Sequence, residues 1–169
     1  PAPAFPDGSI YPGTCRHRPM SEASAQDAIR LNMPLALEHL GGVGDLAFCD
    51  TGDSHAGRHA PDDHWFITTC GDVVLSRREM GTSYHLAVVV DDAAQGITEV
   101  TRGEDLFEAT YIHRLLQALL HLPTPDYHHH KLVRDENGKR LAKRDDARAL
   151  AALRAEGATP AGIRSLLGF

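Results

Sequence analysis

The sequence predicts an α/β protein, and three observations carry that expectation. The strand-like "ITEVTRG" runs directly into the long helix-like "DLFEATYIHRLLQALLHL". The stretch "SYHLAVVVDD" has the consecutive valines expected of a strand buried on both faces. Strand-like "HHHKLV" then follows the helix, and strands alternating with helices imply a sheet covered by them. The chain has 169 residues, 42% of them hydrophobic, which suits one compact domain with room for a small appendage. Aromatic residues make up only 6%, so Leu, Val and Ala should fill most of the core.

The elements are read in chain order. Residues 1 to about 20 are rich in Pro and Gly and read as irregular structure. "SEASAQDAIRLNM" begins like a helix capped by Ser21 or Ser24, although "AIRLNM" reads equally as a strand. The Gly-, Asp- and His-rich stretch from His39 to Trp65 reads as loop with one short strand. "DVVLSRR" is strand-like, "SYHLAVVVDD" is the buried strand, and "GITEVTRG" is a shorter third. Leu106, Phe107, Tyr111, Leu115, Leu116, Leu119 and Leu122 recur at a helical period until Pro123 and Pro125 stop the helix. "HHHKLV" and "RLAKR" flank a hairpin turn at Asn137-Gly138. "DDARALAALRAEG" is a helix ended by Gly157, and "TPAGIRSLLGF" is a last helix with Thr159 as N-cap and Pro160 at its first position.

Composition narrows the function. The net charge of −6 argues against a generic, electrostatically driven nucleic-acid binder. No stretch approaches the roughly 20 apolar residues that cross a bilayer, and the first residues lack the layout of a signal peptide. Three scattered cysteines, Cys15, Cys49 and Cys70, argue against a disulfide framework and for a reducing, cytoplasmic setting.

Arg102 sits where a strand meets a helix, a place where open α/β sheets bind ligands. Its guanidinium suits bidentate capture of a carboxylate; a surface ion pair with Glu104 or Asp105 is the plainer alternative. Tyr84 either lines the same pocket or packs the end of a strand. Of Asp91 and Asp92, at most one faces a ligand. "GKRLAKR" reads as a basic turn or, in a mobile loop, as a phosphate clamp using Lys139, Arg140 and Lys143. In the triplet His128 to His130, three consecutive residues of a strand cannot all aim at one ion; the first and third share a face, and pocket lining or packing is the expected role. Cys15 has no local partners at zinc spacing beyond His17.

Taken together, the segment from Gly71 to Asp145, "GDVVLSRREMGTSYHLAVVVDDAAQGITEVTRGEDLFEATYIHRLLQALLHLPTPDYHHHKLVRDENGKRLAKRD", resembles the C-terminal part of the catalytic domain of the glutamyl-Q tRNA(Asp) synthetases. These are truncated relatives of glutamyl-tRNA synthetase among the class I aminoacyl-tRNA synthetases. "YPGTCR" is an outlying match and "AIRLNM" a vaguer one. The resemblance implies part of a Rossmann-like catalytic domain with C-terminal helices. It implies a largely irregular remnant of the zinc-site and insertion region over 1–70, the second half of the catalytic domain including the basic loop over 71–145, and short helices over 146–169. "RLAKR" is similar to the family's KMSKS-type loop, with Arg140 at the first basic position, Ala142 where Ser is common, and Lys143 as the lysine that contacts ATP. Tyr84 and Arg102 match the family's glutamate-binding pair, and Tyr11 and Cys15 match two of its four zinc ligands.

The implied activity is ATP-dependent activation of glutamate, with Mg2+, and its transfer to queuosine in the anticodon loop of tRNA(Asp). A first nucleotide-binding strand, a HIGH-like signature and the Cys-x-Cys pair for the remaining zinc ligands do not precede "YPGTC". The zinc set is therefore incomplete, and the expectation is a chain inactive without an N-terminal half of the catalytic domain. An ordinary glutamyl-tRNA synthetase would continue into a long helical region, whereas about 25 residues follow the basic loop here. A non-catalytic module that binds glutamate, nucleotide or tRNA is the alternative from another class, and a remnant without independent function is the plainest.

Overall fold

The computed structural model describes residues 4–5, 8–78, 80–134, 138 and 150–167. The chain divides into a unit from Pro1 to His130 and a unit from Lys131 to Phe169.

The first unit opens with β1 (Ala4–Phe5) and β2 (Gly8–Ser9), an antiparallel pair. Strand β3 (Ile29–Arg30) resolves the ambiguity of "AIRLNM". Helix α1 (Met33–Leu40) follows at once, its N-cap Asn32 accepting from the backbone N–H of Leu35. The stretch expected to be loop with one strand holds two strands, β4 (Phe48–Asp50) and β5 (Gly57–His59), paired antiparallel. It then forms α2 (Asp63–Trp65), which widens into a π-type turn over Phe66–Cys70. Strand β6 (Val74–Ser76), within the strand-like "DVVLSRR", pairs with β3.

"SYHLAVVVDD" is not a strand. It forms helix α3 (Tyr84–Gln95), and its caps explain why. The Ser83 hydroxyl accepts from the N–H of Leu86, and Gly96 takes a left-handed conformation (φ 66°) that closes the last turn. Burial follows the helical period, with His85 and Val89 buried while Tyr84 and Val90 are exposed. A run of three valines raises strand propensity only weakly, and two good caps with one-sided burial outweigh it.

Strand β7 (Glu99–Gly103) and a 3-10 turn (Glu104–Leu106) lead into α4 (Ala109–Leu119), and β8 (Asp126–His130) follows. The main sheet has the order β5-β4-β8-β7, with β8 parallel to both β4 and β7. Parallel neighbours joined through α4 make this an α/β fold. One face of α4 enters the core with Ile112, Leu115 and Leu116, packed with Met33, Leu37, Phe66 and Val89. Ile112 is fully buried, so Ile112→Ala is expected to cost about 2–5 kcal/mol, read as a lower midpoint in urea.

Two buried charged groups tie the segments before the sheet to this core. Arg114 donates from α4 to the carbonyls of Asp45 and Ala47 just before β4. Asp72 accepts two bonds from Arg16 and one from the backbone N–H of Met33, joining the "YPGTCR" segment to the start of α1. Among the described residues no helix is long and apolar enough to cross a membrane.

The second unit contains α5 (Leu150–Ala155) and α6 (Pro160–Leu167). Gly157 has a φ of 91°, and the Thr159 hydroxyl accepts from the N–H of Gly162, as expected of the two caps. The strand-like "RLAKR" lies outside the described residues, as does Asn137 of the expected hairpin turn.

Candidate functional site

The site is built where β7, β8 and α4 converge. Register places Arg102 of β7 directly opposite His129 of β8, so the two side chains lie on one face of the sheet. Arg102 donates from Nε to His129 Nε2 at 3.0 Å, from Nη1 to His113 Nδ1 at 3.1 Å, and from Nη2 to the Thr110 hydroxyl. Its guanidinium carbon lies 5.4 Å above the ring of Tyr127. Thr110, His113, Tyr127 and His129 are all buried, so the half-buried Arg102 is held from below with little freedom.

The acceptors are two imidazoles and a hydroxyl; among the described residues Arg102 has no ion-pair partner. The expected alternative of a surface pair with Glu104 or Asp105 is therefore not what the fold builds. An arginine has five N–H donors, and three are used here. The charge and the remaining donors are available to an anionic ligand.

The surrounding groups keep the histidines neutral. Burial pushes His113 well below the ordinary histidine range, and Arg102, His85 and His129 push the same way. His113 must accept from Arg102 at Nδ1, so its Nε2–H faces His85 Nδ1 at 3.1 Å. Burial also lowers His129, opposed by its hydrogen bond to Asp50 and reinforced by Arg102. Burial raises Asp50, but bonds from His129 and Gly52 outweigh it, leaving the carboxyl below its ordinary value. The pair is thus a carboxylate and a neutral imidazole.

These shifts predict a pH dependence. A folded-state pKa below the unfolded one means the unfolded chain binds the extra proton. The contribution of His113 and His129 is complete above about pH 6.5 and falls as pH drops through and below that value. Thermal midpoints measured from pH 8 to 5 are expected to decline on the acid side, and less steeply in His113→Gln.

Tyr84 opens α3 with half of its surface exposed, its ring 5.7 Å from that of His113. Tyr84 and Arg102 thus reach the same histidine from different elements, α3 and β7. Of the two acids, Asp92 is the one Arg102 acts on; burial raises its pKa and the guanidinium partly offsets this. Asp50, Thr110 and His113 were not singled out in the sequence, and in the histidine triplet the sequence paired the first and third members rather than picking out His129. Alternation along β8 leaves Tyr127 and His129 buried, so the middle histidine of the triplet faces the site. Only the register to Arg102 distinguishes it from its neighbours.

Lys139, Arg140 and Lys143 lie outside the described residues. Tyr11 and Cys15 are brought together, but through the protein itself: the Tyr11 hydroxyl accepts from the backbone N–H of Cys15, and Arg30 stacks on the Tyr11 ring. They line a cavity of about 480 Å³ whose two carboxylates, Asp27 and Asp72, are paired with Arg18 and Arg16. A structural zinc needs four donors, and among the described residues no group of three or more His, Cys, Asp or Glu converges. Tyr11 and Cys15 alone do not make a four-donor zinc site among the described residues.

Residues 64–168 match the family described as tRNA synthetases class I (E and Q), catalytic domain. The chain is 59% identical to a glutamyl-Q tRNA(Asp) synthetase of Rhodobacter capsulatus, over 99% of the chain and 59% of that protein. It is 44% identical to one from Synechococcus, over 83% of the chain and 43% of that protein. Among solved structures, a glutamate-tRNA synthetase from Elizabethkingia anophelis is similar at a TM-score of 0.47 and 28% identity, over 59% of this chain and 19% of that one. The chain thus spans about half the length of these curated relatives. With the family matched over more than half its length, this chain belongs to the catalytic-domain family of the class I tRNA synthetases of the E and Q type.

Proposed function

We propose that the chain forms the C-terminal part of the catalytic region of a glutamyl-Q tRNA(Asp) synthetase in the cytoplasm. The whole enzyme activates L-glutamate with ATP and Mg2+ and transfers it to queuosine of tRNA(Asp). The observation that supports this most is Arg102, a cation hydrogen-bonded by neutral acceptors and in no ion pair among the described residues. In this reading Arg102 grips one carboxylate of glutamate with Tyr84 beside it, which positions the other to attack the α-phosphate of ATP as pyrophosphate leaves. Lys143, with Arg140, stabilises the charge that builds on the phosphates. The relatives named above carry the same activity in their names and extend well beyond the matched region.

The test is glutamate-dependent ATP–pyrophosphate exchange. It is run on the chain alone and on the chain joined to the part of the Rhodobacter capsulatus protein that it does not match. Exchange is expected only in the joined protein. Exchange by the chain alone overturns the need for the rest of the catalytic region. Glutamate binding without exchange in the joined protein favours a binding module instead. Charging of the 3′ end of tRNA(Glu), rather than the anticodon loop of tRNA(Asp), favours an ordinary glutamyl-tRNA synthetase.

A further inference from the structure

Asp50 is buried at the end of β4, one imidazole away from Arg102. Its Oδ1 accepts from the backbone N–H groups of Gly52 (2.7 Å) and His129 (3.3 Å), and its Oδ2 meets His129 Nδ1. We infer that Asp50 is a positioning residue for Arg102, acting through the tautomer of His129. The inference rests on the reading of Arg102 as the carboxylate-gripping residue.

A guanidinium has donors only, so Arg102 Nε–H requires a lone pair at His129 Nε2, 3.0 Å away. A neutral imidazole offers one lone pair and one N–H. The proton must therefore sit on Nδ1, and the Asp50 carboxylate, which can only accept, holds it there. The Thr110 hydroxyl, 3.2 Å from His129 Nε2 and bonded to Arg102 Nη2, completes the seat. Direct contact between Asp50 and Arg102 would neutralise the charge that a ligand needs. A neutral imidazole between them transmits orientation while leaving the guanidinium cationic.

The competing role for Asp50 is purely structural, a tie between β4 and β8. Asp50→Asn separates the two. The amide oxygen still accepts from Gly52 and His129 N–H, so the tie persists. Its NH2 now donates to His129 Nδ1, which drives the proton to Nε2 and sets it against Arg102 Nε–H.

The experiment uses the chain labelled with 15N at histidine and arginine. Ring-nitrogen correlation spectra assign the tautomer, the Arg102 Nε–H resonance reports its orientation, and calorimetry measures glutamate affinity. The parent is expected to show His129 as the Nδ1–H tautomer. In Asp50→Asn the proton moves to Nε2, the Arg102 resonance shifts, and glutamate affinity falls about tenfold or more. An unchanged tautomer in that variant overturns the inference. So does a reversed tautomer with the Arg102 resonance and glutamate affinity both unmoved. Should the variant not fold, the parent decides: coupling across the hydrogen bond from Arg102 Nε to an unprotonated His129 Nε2 supports the inference, and an Nε2–H tautomer overturns it. A parent that binds no glutamate, but whose Arg102 resonance still follows the His129 tautomer, sinks the carboxylate reading and leaves the positioning role standing.

Discussion

Arg102→Lys in the joined protein is expected to lower kcat/KM for glutamate by roughly 100-fold or more, with the affinity for ATP little changed. Charge is conserved in this substitution, so the loss measures geometry. Lysine is a point cation with three donors on a flexible stem and cannot present a planar fork to a carboxylate. It also cannot reach His129 Nε2, His113 Nδ1 and Thr110 Oγ1 together, as the guanidinium does. Each hydrogen bond to a charged group contributes about 1.5–3 kcal/mol, and two lost from the ligand give at least the stated factor. Steady-state kinetics and a melting curve decide between a gripping and a structural arginine. A lowered midpoint with glutamate kinetics intact assigns Arg102 to the fold alone.

Gly52→Ala is expected to lower stability strongly. A Cβ at this position would lie 2.0 Å from the carbonyl oxygen of His129 and 2.8 Å from its carbon. Both atoms are backbone of β8, an inner strand of the sheet, so no rotamer change relieves the overlap. The strands must separate, which strains the Thr51 N–H bond to the Tyr127 carbonyl and the two bonds to Asp50 Oδ1. Overpacking a well-packed site costs about 1–3 kcal/mol, and an immovable backbone contact belongs above that range. At roughly 2–4 °C per kcal/mol for a chain of this size, the midpoint should fall by about 10 °C, or the protein should not accumulate. Because Asp50 and His129 sit at the same contact, the His129 ring resonances should move as well. A midpoint within a degree or two of the parent contradicts the close approach of Gly52 to β8.

Much of the fold was legible in local sequence. The strand around Arg102, the amphipathic helix after it and the two C-terminal helices with Gly157 and Thr159 as caps follow from periodicity and capping chemistry, which act within a few residues. The valine run misled because strand propensity is a weak preference, overridden by Ser83, Gly96 and one-sided burial. Strands β4 and β5 are three residues each, too short for an alternation to register.

Arg102 and Tyr84 stood out because a family pattern marks them, and the family itself follows from the order of segments along one chain. The partners of Arg102 did not stand out. Asp50 and His129 are 79 residues apart, His85 and His113 are 28 apart, and nothing in either neighbourhood announces the other. The sequence alone determined the α/β class, the family and the arginine proposed to grip a carboxylate. The tertiary structure decided which groups hold that guanidinium, because strand register and the burial of its histidine partners exist only once distant segments share one sheet.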